Sequence, residues 1–232
     1  MKRSKRYKEA LSKIDRNKKY PLKEAIELLK SIANAKINES VDIAVKLNIN
    51  TKKQDQQVRG TSDLPYGTGK TKKILVLTKG EKEKEAKEAG ADYVGFEEYI
   101  EKIKSGWLDF DCIIATPDAM SEISKLGKIL GPKGLMPSPK TGTVTFEVGP
   151  QVKALKKGKI EFKSDKGGCV HALVGKVSFP PEALEANIRT FVQDLIAAKP
   201  PTVKGQFIKS LTISSTFGPG IKLDEKEFLK AK

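Results

Sequence analysis

The sequence predicts an α/β protein of two domains. One is a discontinuous α+β domain with an antiparallel four-stranded sheet, split βαβ-like; the other, inserted into it, is a Rossmann-like three-layer α/β domain. Three observations lead there. Between residues 70 and 157 short apolar runs alternate with charged stretches of helix length, the pattern of parallel strands joined by right-handed crossovers. On both sides of that region the strand candidates alternate apolar and polar residues, and neither flank has enough apolar surface to stand alone. Charge divides the chain at the same places: residues 70–157 hold 16 basic and 13 acidic residues, net +3, and the remainder 28 and 16, net +12. The expected domains are therefore 1–69 with 158–232, and 70–157.

Taken in order, a basic helix is expected from Ser4 to Asn17 and an amphipathic one from Pro21 to Ala33. Strands follow at Ser40 to Ile49 and Val58 to Leu64. The insert reads as strand Lys73 to Thr78, helix Glu81 to Ala89 closed by Gly90, strand Asp92 to Gly95, helix Phe96 to Lys104, strand Asp111 to Thr116 and helix Pro117 to Ile129. Strands Lys159 to Ser164 and Val170 to Lys176 are joined by Asp165-Lys166-Gly167-Gly168, a strong hairpin signal. A helix from Pro181 to Ala198 leads to a last strand, Gln206 to Ser215.

The 232 residues carry 44 Lys and Arg against 29 Asp and Glu, a formal charge of +15. That excess points to a polyanion or an anionic surface as partner. All five arginines (Arg3, Arg6, Arg16, Arg59 and Arg189) fall outside the insert, and arginine is the better bidentate partner for phosphate. No apolar run approaches the roughly 20 residues that span a bilayer, and the first twenty residues lack the apolar core of a secretory signal. A cytoplasmic protein with no membrane partner is expected. Cys112 and Cys169 form no C-x-x-C pair and have only His171 to join them, so no metal site is expected. His171, alternating with apolar neighbours, reads as a hydrogen-bonding residue rather than a catalyst.

Gly67-Thr68-Gly69-Lys70-Thr71 has the letters that end many phosphate-binding loops. The full loop needs a glycine five places before Gly69, where Leu64 stands, and it should follow a strand and open a helix. Here the apolar run comes afterwards. The first turn of the insert also has one glycine where dinucleotide binding wants three, so no cofactor is expected. A nucleotide-dependent enzyme using Lys70 is thereby disfavoured. Gly67 and Gly69 read instead as a hinge near 66–71, with Gly158 in the return crossing at 156–159.

Three stretches are candidate RNA contacts, each with a plain structural alternative. Residues 126–142, LGKILGPKGLMPSPKTG, hold Lys128, Lys133 and Lys140 and no acid; they suit a phosphate backbone or a rigid loop closing one end of the α/β sheet. Residues 214–221, SSTFGPGI, present a Gly-Pro-Gly turn and the Thr216 hydroxyl to a shallow RNA minor groove, or simply end a strand. Residues 35–42, AKINESVD, place Lys36, Asn38, Glu39 and Ser40 at a strand start, where capping or a turn explains them equally.

Together DQQVRGTSDLPYGTGK (55–70), ADYVGFEEYIEKIKSGWLDFD (91–111), LGKILGPKGLMPSPKTGTV (126–144), DKGGCVHALVGKVSF (165–179) and SSTFGPG (214–220) resemble, in order, the bacterial form of the L1 family of large-subunit ribosomal proteins. The resemblance covers essentially the whole chain. It implies a non-enzymatic protein, monomeric when free of the ribosome. It also implies 23S rRNA at the mobile lateral stalk, E-site tRNA whose release it assists, and its own operon mRNA, which it represses, as partners. Carried over motif by motif, the RNA contacts are Lys36, Ile37, Glu39 and Ser40, then Asp165, Lys166 and His171, then Thr216, Phe217 and Gly218. Ile37 stands where the family commonly has Phe, and Phe217 where it mostly has Met.

Overall fold

In the computed structural model, which describes residues 4–78 and 82–229, the helices run α1 (Lys5–Ser12), α2 (Leu22–Ile32), α3 (Lys82–Glu88), α4 (Glu97–Lys104), α5 (Met120–Ile123), α6 (Gly127–Leu130), α7 (Val148–Lys157), α8 (Pro181–Ala197) and α9 (Lys226–Leu229). The strands are β1 (Ser40–Leu47), β2 (Arg59–Asp63), β3 (Ile74–Leu77), β4 (Tyr93–Gly95), β5 (Cys112–Ala115), β6 (Lys159–Lys163), β7 (Cys169–Lys176), β8 (Ile208–Ser215) and β9 (Ile221–Leu223). Arg3, Glu81 and the side chain of Lys140 lie outside the described residues. Contacts divide the chain into two compact units, residues 1–69 with 158–232, and residues 70–157.

In the first unit the sheet order is β7-β1-β8-β9, each neighbour antiparallel to the next. Strands β7 and β8 are thus parallel to each other, joined by α8, with β1 filling the gap between them. That is a split βαβ arrangement. Alternation decides which face is covered: Val41, Ile43, Val45 and Leu47 of β1 are buried, as are Leu211 and Ile213 of β8. They form one core with Leu22, Ile26 and Leu29 of α2 and Leu184, Ile188 and Phe191 of α8. Each fully buried side chain of this size stabilises the fold by about 1.5–3 kcal/mol. Among the described residues the other face carries no such core.

The membership of the sheet differs from expectation in two ways. Its fourth strand is β9, whose Ile-Lys-Leu is too short to announce itself, while β2 pairs with β6 in a separate two-stranded ribbon. The turn after β6 does form the expected hairpin into β7, bridged at Ser164 and Val170. Helix α1 is also shorter than its basic run, because Asp15 leaves the helix to donate its N–H to the Tyr20 hydroxyl and accept from the Asn17 N–H.

Asn187 ties α8 to two other segments of this unit. It is wholly buried; its Nδ2 donates to the Gly67 and Val174 carbonyls at 2.9 and 2.8 Å, and its Oδ1 accepts from the Tyr66 N–H at 3.1 Å. One side chain therefore satisfies three backbone groups. Nearby, Gly158 has φ +122°, and a Cβ there would collide with the Gly67 Cα. The two backbone segments can approach this closely because residue 158 lacks a side chain.

In the second unit β4-β3-β5 form a parallel sheet. Strand β3 is buried on both sides, as parallel strands are. Ile74 and Val76 pack with Ala86 of α3 and Val148, Val152 and Leu155 of α7; Leu75 and Leu77 pack with Ile100 and Ile103 of α4, Ile123 and Leu130. Sheet and helices thus make three layers. Helix α7 is not legible from the sequence, since Gly149-Pro150 reads as a break. Proline is tolerated in a first helical turn, and the Glu85 carboxylate accepts the Gly149 N–H at 3.0 Å, where a Cβ would crowd it. The single helix expected over 117–129 is instead a series of short turns, 3₁₀ at Pro117–Ala119, α5, 3₁₀ at Ser124–Leu126 and α6. The Ser124 hydroxyl donates back to the Met120 carbonyl at 2.7 Å, the type of local bond that bends helices.

Asn187→Leu strands one N–H and two carbonyls. Urea unfolding of this variant should show a loss of about 3 kcal/mol, at the usual 1–3 kcal/mol per orphaned buried group with partial relaxation. A loss under about 1 kcal/mol would mean that water or a local shift satisfies those groups.

Candidate nucleic-acid interface

The register of the main sheet brings the 35–42 and 214–221 stretches together. Val41 pairs with Ser215, so the entry to β1 and the exit from β8 lie side by side. Glu39 sits between them, only 3% exposed. One of its carboxylate oxygens accepts the Phe217 N–H at 2.9 Å, and the other a longer bond from the Ala35 N–H at 3.4 Å. Its own carbonyl accepts the Val177 N–H at 3.0 Å. Ser40 and Thr216 then bond reciprocally: the Ser40 N–H donates to the Thr216 hydroxyl oxygen at 3.0 Å, and the Thr216 N–H to the Ser40 carbonyl at 3.1 Å. Gly218 closes the turn through its N–H to the Ser215 carbonyl, and a Cβ on it would lie 2.5 Å from the Ser215 hydroxyl oxygen. Residues 176 positions apart in the chain thus share one rigid corner.

What this corner presents outward is mixed. Lys36 is exposed, and so are two large apolar side chains, Ile37 at 59% and Phe217 at 49%. The Arg6 guanidinium lies 5.1 Å from the Phe217 ring centroid, in cation–π range. Lys176 donates to the Ser40 hydroxyl at 2.9 Å. The sequence marks Arg6 only as one of five arginines outside the insert, and does not mark Lys176. Lys176 becomes visible only through its pairing with Ser40 across β1 and β7, which requires knowing which strands are neighbours.

The hairpin residues are placed elsewhere. Lys46 of β1 pairs with Cys169, so the 165–168 turn lies at the opposite end of β1 from Ser40, about 20 Å away at 3.3 Å per residue. Asp165 holds the turn: one carboxylate oxygen accepts the Cys169 N–H at 2.7 Å, and the backbones of the two residues bond at 2.8 Å. The Cys169 amide bond, helped by the Gly167 amide, lowers the Asp165 pKa against a smaller opposing effect of burial. Lys46 donates to the Gly167 carbonyl. Lys166 is exposed, and beside it Thr51, Gln57, Lys163, Ser164, Asp165 and Lys166 line an open concavity of about 530 Å³.

His171 connects the two ends. It pairs with Ala44 in mid-strand and is exposed, Nε2 3.9 Å from an Asp165 oxygen. It sits on the face opposite the buried core, with Asp42, Ala44 and Lys46 of β1 and Ser210, Thr212 and Ser214 of β8 on the same side by alternation. All ten carried-over residues therefore lie on this open sheet face or at its two ends.

The remaining candidates sit in other surroundings. Lys128, in α6, and Lys133, in the following turn, are exposed side chains of the 70–157 unit. The loop they belong to is held by threonines: the Thr143 hydroxyl accepts the Ser138 N–H at 2.8 Å, Thr141 donates to the Ser138 carbonyl at 3.0 Å, and Val144 bridges to Ala115 of β5. Gly67 and Gly69, both with positive φ, lead into β3 and not into a helix. That order cannot form a phosphate loop of the hydrolase kind. Among the described residues no helix is long and apolar enough to cross a membrane.

The pattern of the ribosomal protein L1p/L10e family matches residues 29–219, from within α2 to the turn after β8, and so takes in all ten residues of the open face and its ends. The family is one of structural, RNA-binding proteins of the large ribosomal subunit, acting on the ribosome in the cytoplasm, and is not a family of enzymes. Matched over that span, this chain belongs to the ribosomal protein L1p/L10e family.

Proposed function

We propose that this protein docks the open face of its main sheet on 23S rRNA at the mobile stalk of the large subunit, with the 35–40 and 216–218 corner setting register. The observation that carries the reading is the Glu39 carboxylate, buried and committed to the Phe217 N–H. It holds Lys36, Ile37 and Phe217 outward in the free protein, so little order remains to be gained on binding. Apolar Ile37 and Phe217 suit a ribose or base face, while the Ser40 and Thr216 hydroxyls suit 2′-hydroxyls read by shape. Lys166 and the concavity beside it suit phosphates at the other end of the face. On the same reading the protein assists release of deacylated tRNA from the E site, and represses its own operon by binding a messenger that imitates the ribosomal site. It does so as a monomer when off the ribosome.

A hinge near 66–71 and 156–159, using Gly67, Gly69 and Gly158, lets the 70–157 unit move with the stalk. The positive φ of all three glycines supports their choice as pivots. Labels placed one on each unit should give at least two separations in single-molecule distance measurements; one fixed distance, with and without RNA, would exclude the motion. Lys128, Lys133 and Lys140 are a secondary contact of that moving unit, on RNA or tRNA.

Site variants separate register from attraction. Thr216→Val and Gly218→Val disturb the corner and should weaken binding to stalk RNA about tenfold or more, at one lost bond or one clash near 1.4 kcal/mol, while leaving a scrambled duplex nearly unaffected. Lys36→Ala should weaken both RNAs alike and reduce the slope of affinity against salt by about one counterion. Equal losses on both RNAs for all three variants would mean that the face binds by charge alone.

A further inference from the structure

We propose that Asp165, Cys169 and His171 form a site for a zinc-like divalent cation at the hairpin end of the open face. Each offers one ligand atom, and among the described residues these are the ones that gather in this way, with carboxylate oxygen, sulfur and imidazole nitrogen all within 4.8 Å of one another. The sequence conceals the set. It places the two cysteines far apart with one histidine, whereas the missing third ligand is a carboxylate that the hairpin folds back onto its own strand.

Local structure supplies the arrangement. Cys169 and His171 are two apart in β7, so both side chains stand on the solvent face. The turn returns Asp165 beside them and divides its carboxylate: one oxygen is committed to the Cys169 N–H at 2.7 Å, and the other is turned towards His171 Nε2, 3.9 Å away. Zinc with bonds of about 2.0–2.3 Å in tetrahedral geometry needs ligand atoms about 3.5 Å apart. Rotations of exposed side chains supply the difference of about 1 Å.

The mixed oxygen, nitrogen and sulfur set favours zinc over calcium or magnesium, which prefer oxygen alone. Cys169 binds as the thiolate, releasing its proton to solvent as the metal–sulfur bond forms. Three protein ligands leave a fourth position for water. Lys46, which donates to the Gly167 carbonyl, and exposed Lys166 oppose a cation nearby. The site is therefore an exchangeable one and not a structural staple.

A bound cation takes Asp165 and His171 away from RNA, so metal and RNA compete; this half of the inference rests on the RNA-binding reading. Cobalt(II) serves as the probe because a thiolate ligand gives it a charge-transfer absorption band. The full chain should show that band at one equivalent. Cys169→Ser should abolish it, Cys112→Ser should keep it, and His171→Ala should weaken cobalt binding about tenfold or more. Asp165 is left intact because its other oxygen holds the turn. Absence of the band, or its survival in Cys169→Ser, overturns the site. Stalk-RNA affinity is then measured with and without cobalt. Loss of affinity in the wild type but not in Cys169→Ser supports competition, and equal affinity in both conditions overturns it. Failure to bind stalk RNA even without metal would count against the RNA reading, while the absorption band would still establish the site.

Discussion

A single buried carboxylate organises the surface on which this account depends. Glu39 is withdrawn from water, and a buried acceptor is tolerable only where donors reach it. The Phe217 amide is the principal donor, with Ala35 at longer range. To satisfy Glu39 the turn after β8 must stand against the entry to β1, and the reciprocal bonds of Ser40 and Thr216 complete the joint. Ile37 and Phe217 remain exposed because the backbone beneath them is fixed, not because the surface is loose.

The sheet then determines what surrounds that corner. Splitting β7 and β8 around β1 sets strands from distant parts of the chain side by side, and α2 and α8 cover only one face. The bare face carries hydroxyls, a histidine and lysines where the covered face carries valine, isoleucine and leucine. Period-two alternation makes both statements at once. RNA binding on such a face needs no pocket of the kind enzymes build. The concavity at its hairpin end is open and lined by Thr51, Gln57, Lys163, Ser164, Asp165 and Lys166.

Much of this was legible in the residues. Alternation located β1, β7 and β8, and the Asp-Lys-Gly-Gly turn located the hairpin. The position of Leu64 and the strand after Gly69 disposed of a phosphate loop. What was hidden depends on contacts between distant residues. Strand β9 is three residues long and exists because Leu211, Thr212 and Ile213 of β8 offer it an edge. Helix α7 carries Gly149-Pro150 in its first turn because Glu85, 64 positions earlier, accepts the Gly149 amide. The separation of Asp165 from Ser40 by the length of β1, and the gathering of Asp165, Cys169 and His171, follow from register, which no spacing in the sequence states. The ten candidate residues are those the resemblance implies; strand register explains why they gather on one sheet face and at its two ends.

The most direct test is amide hydrogen exchange of the protein alone, with stalk RNA, and with a scrambled duplex of equal length. The Phe217 and Ser40 amides should already be slow in the free protein, since Glu39 and Thr216 accept them, and stalk RNA should add protection at 36–40, 165–171 and 216–218 while the scrambled duplex does not. Fast exchange at Phe217 in the free protein, or RNA protection that bypasses those three segments, would contradict this reading.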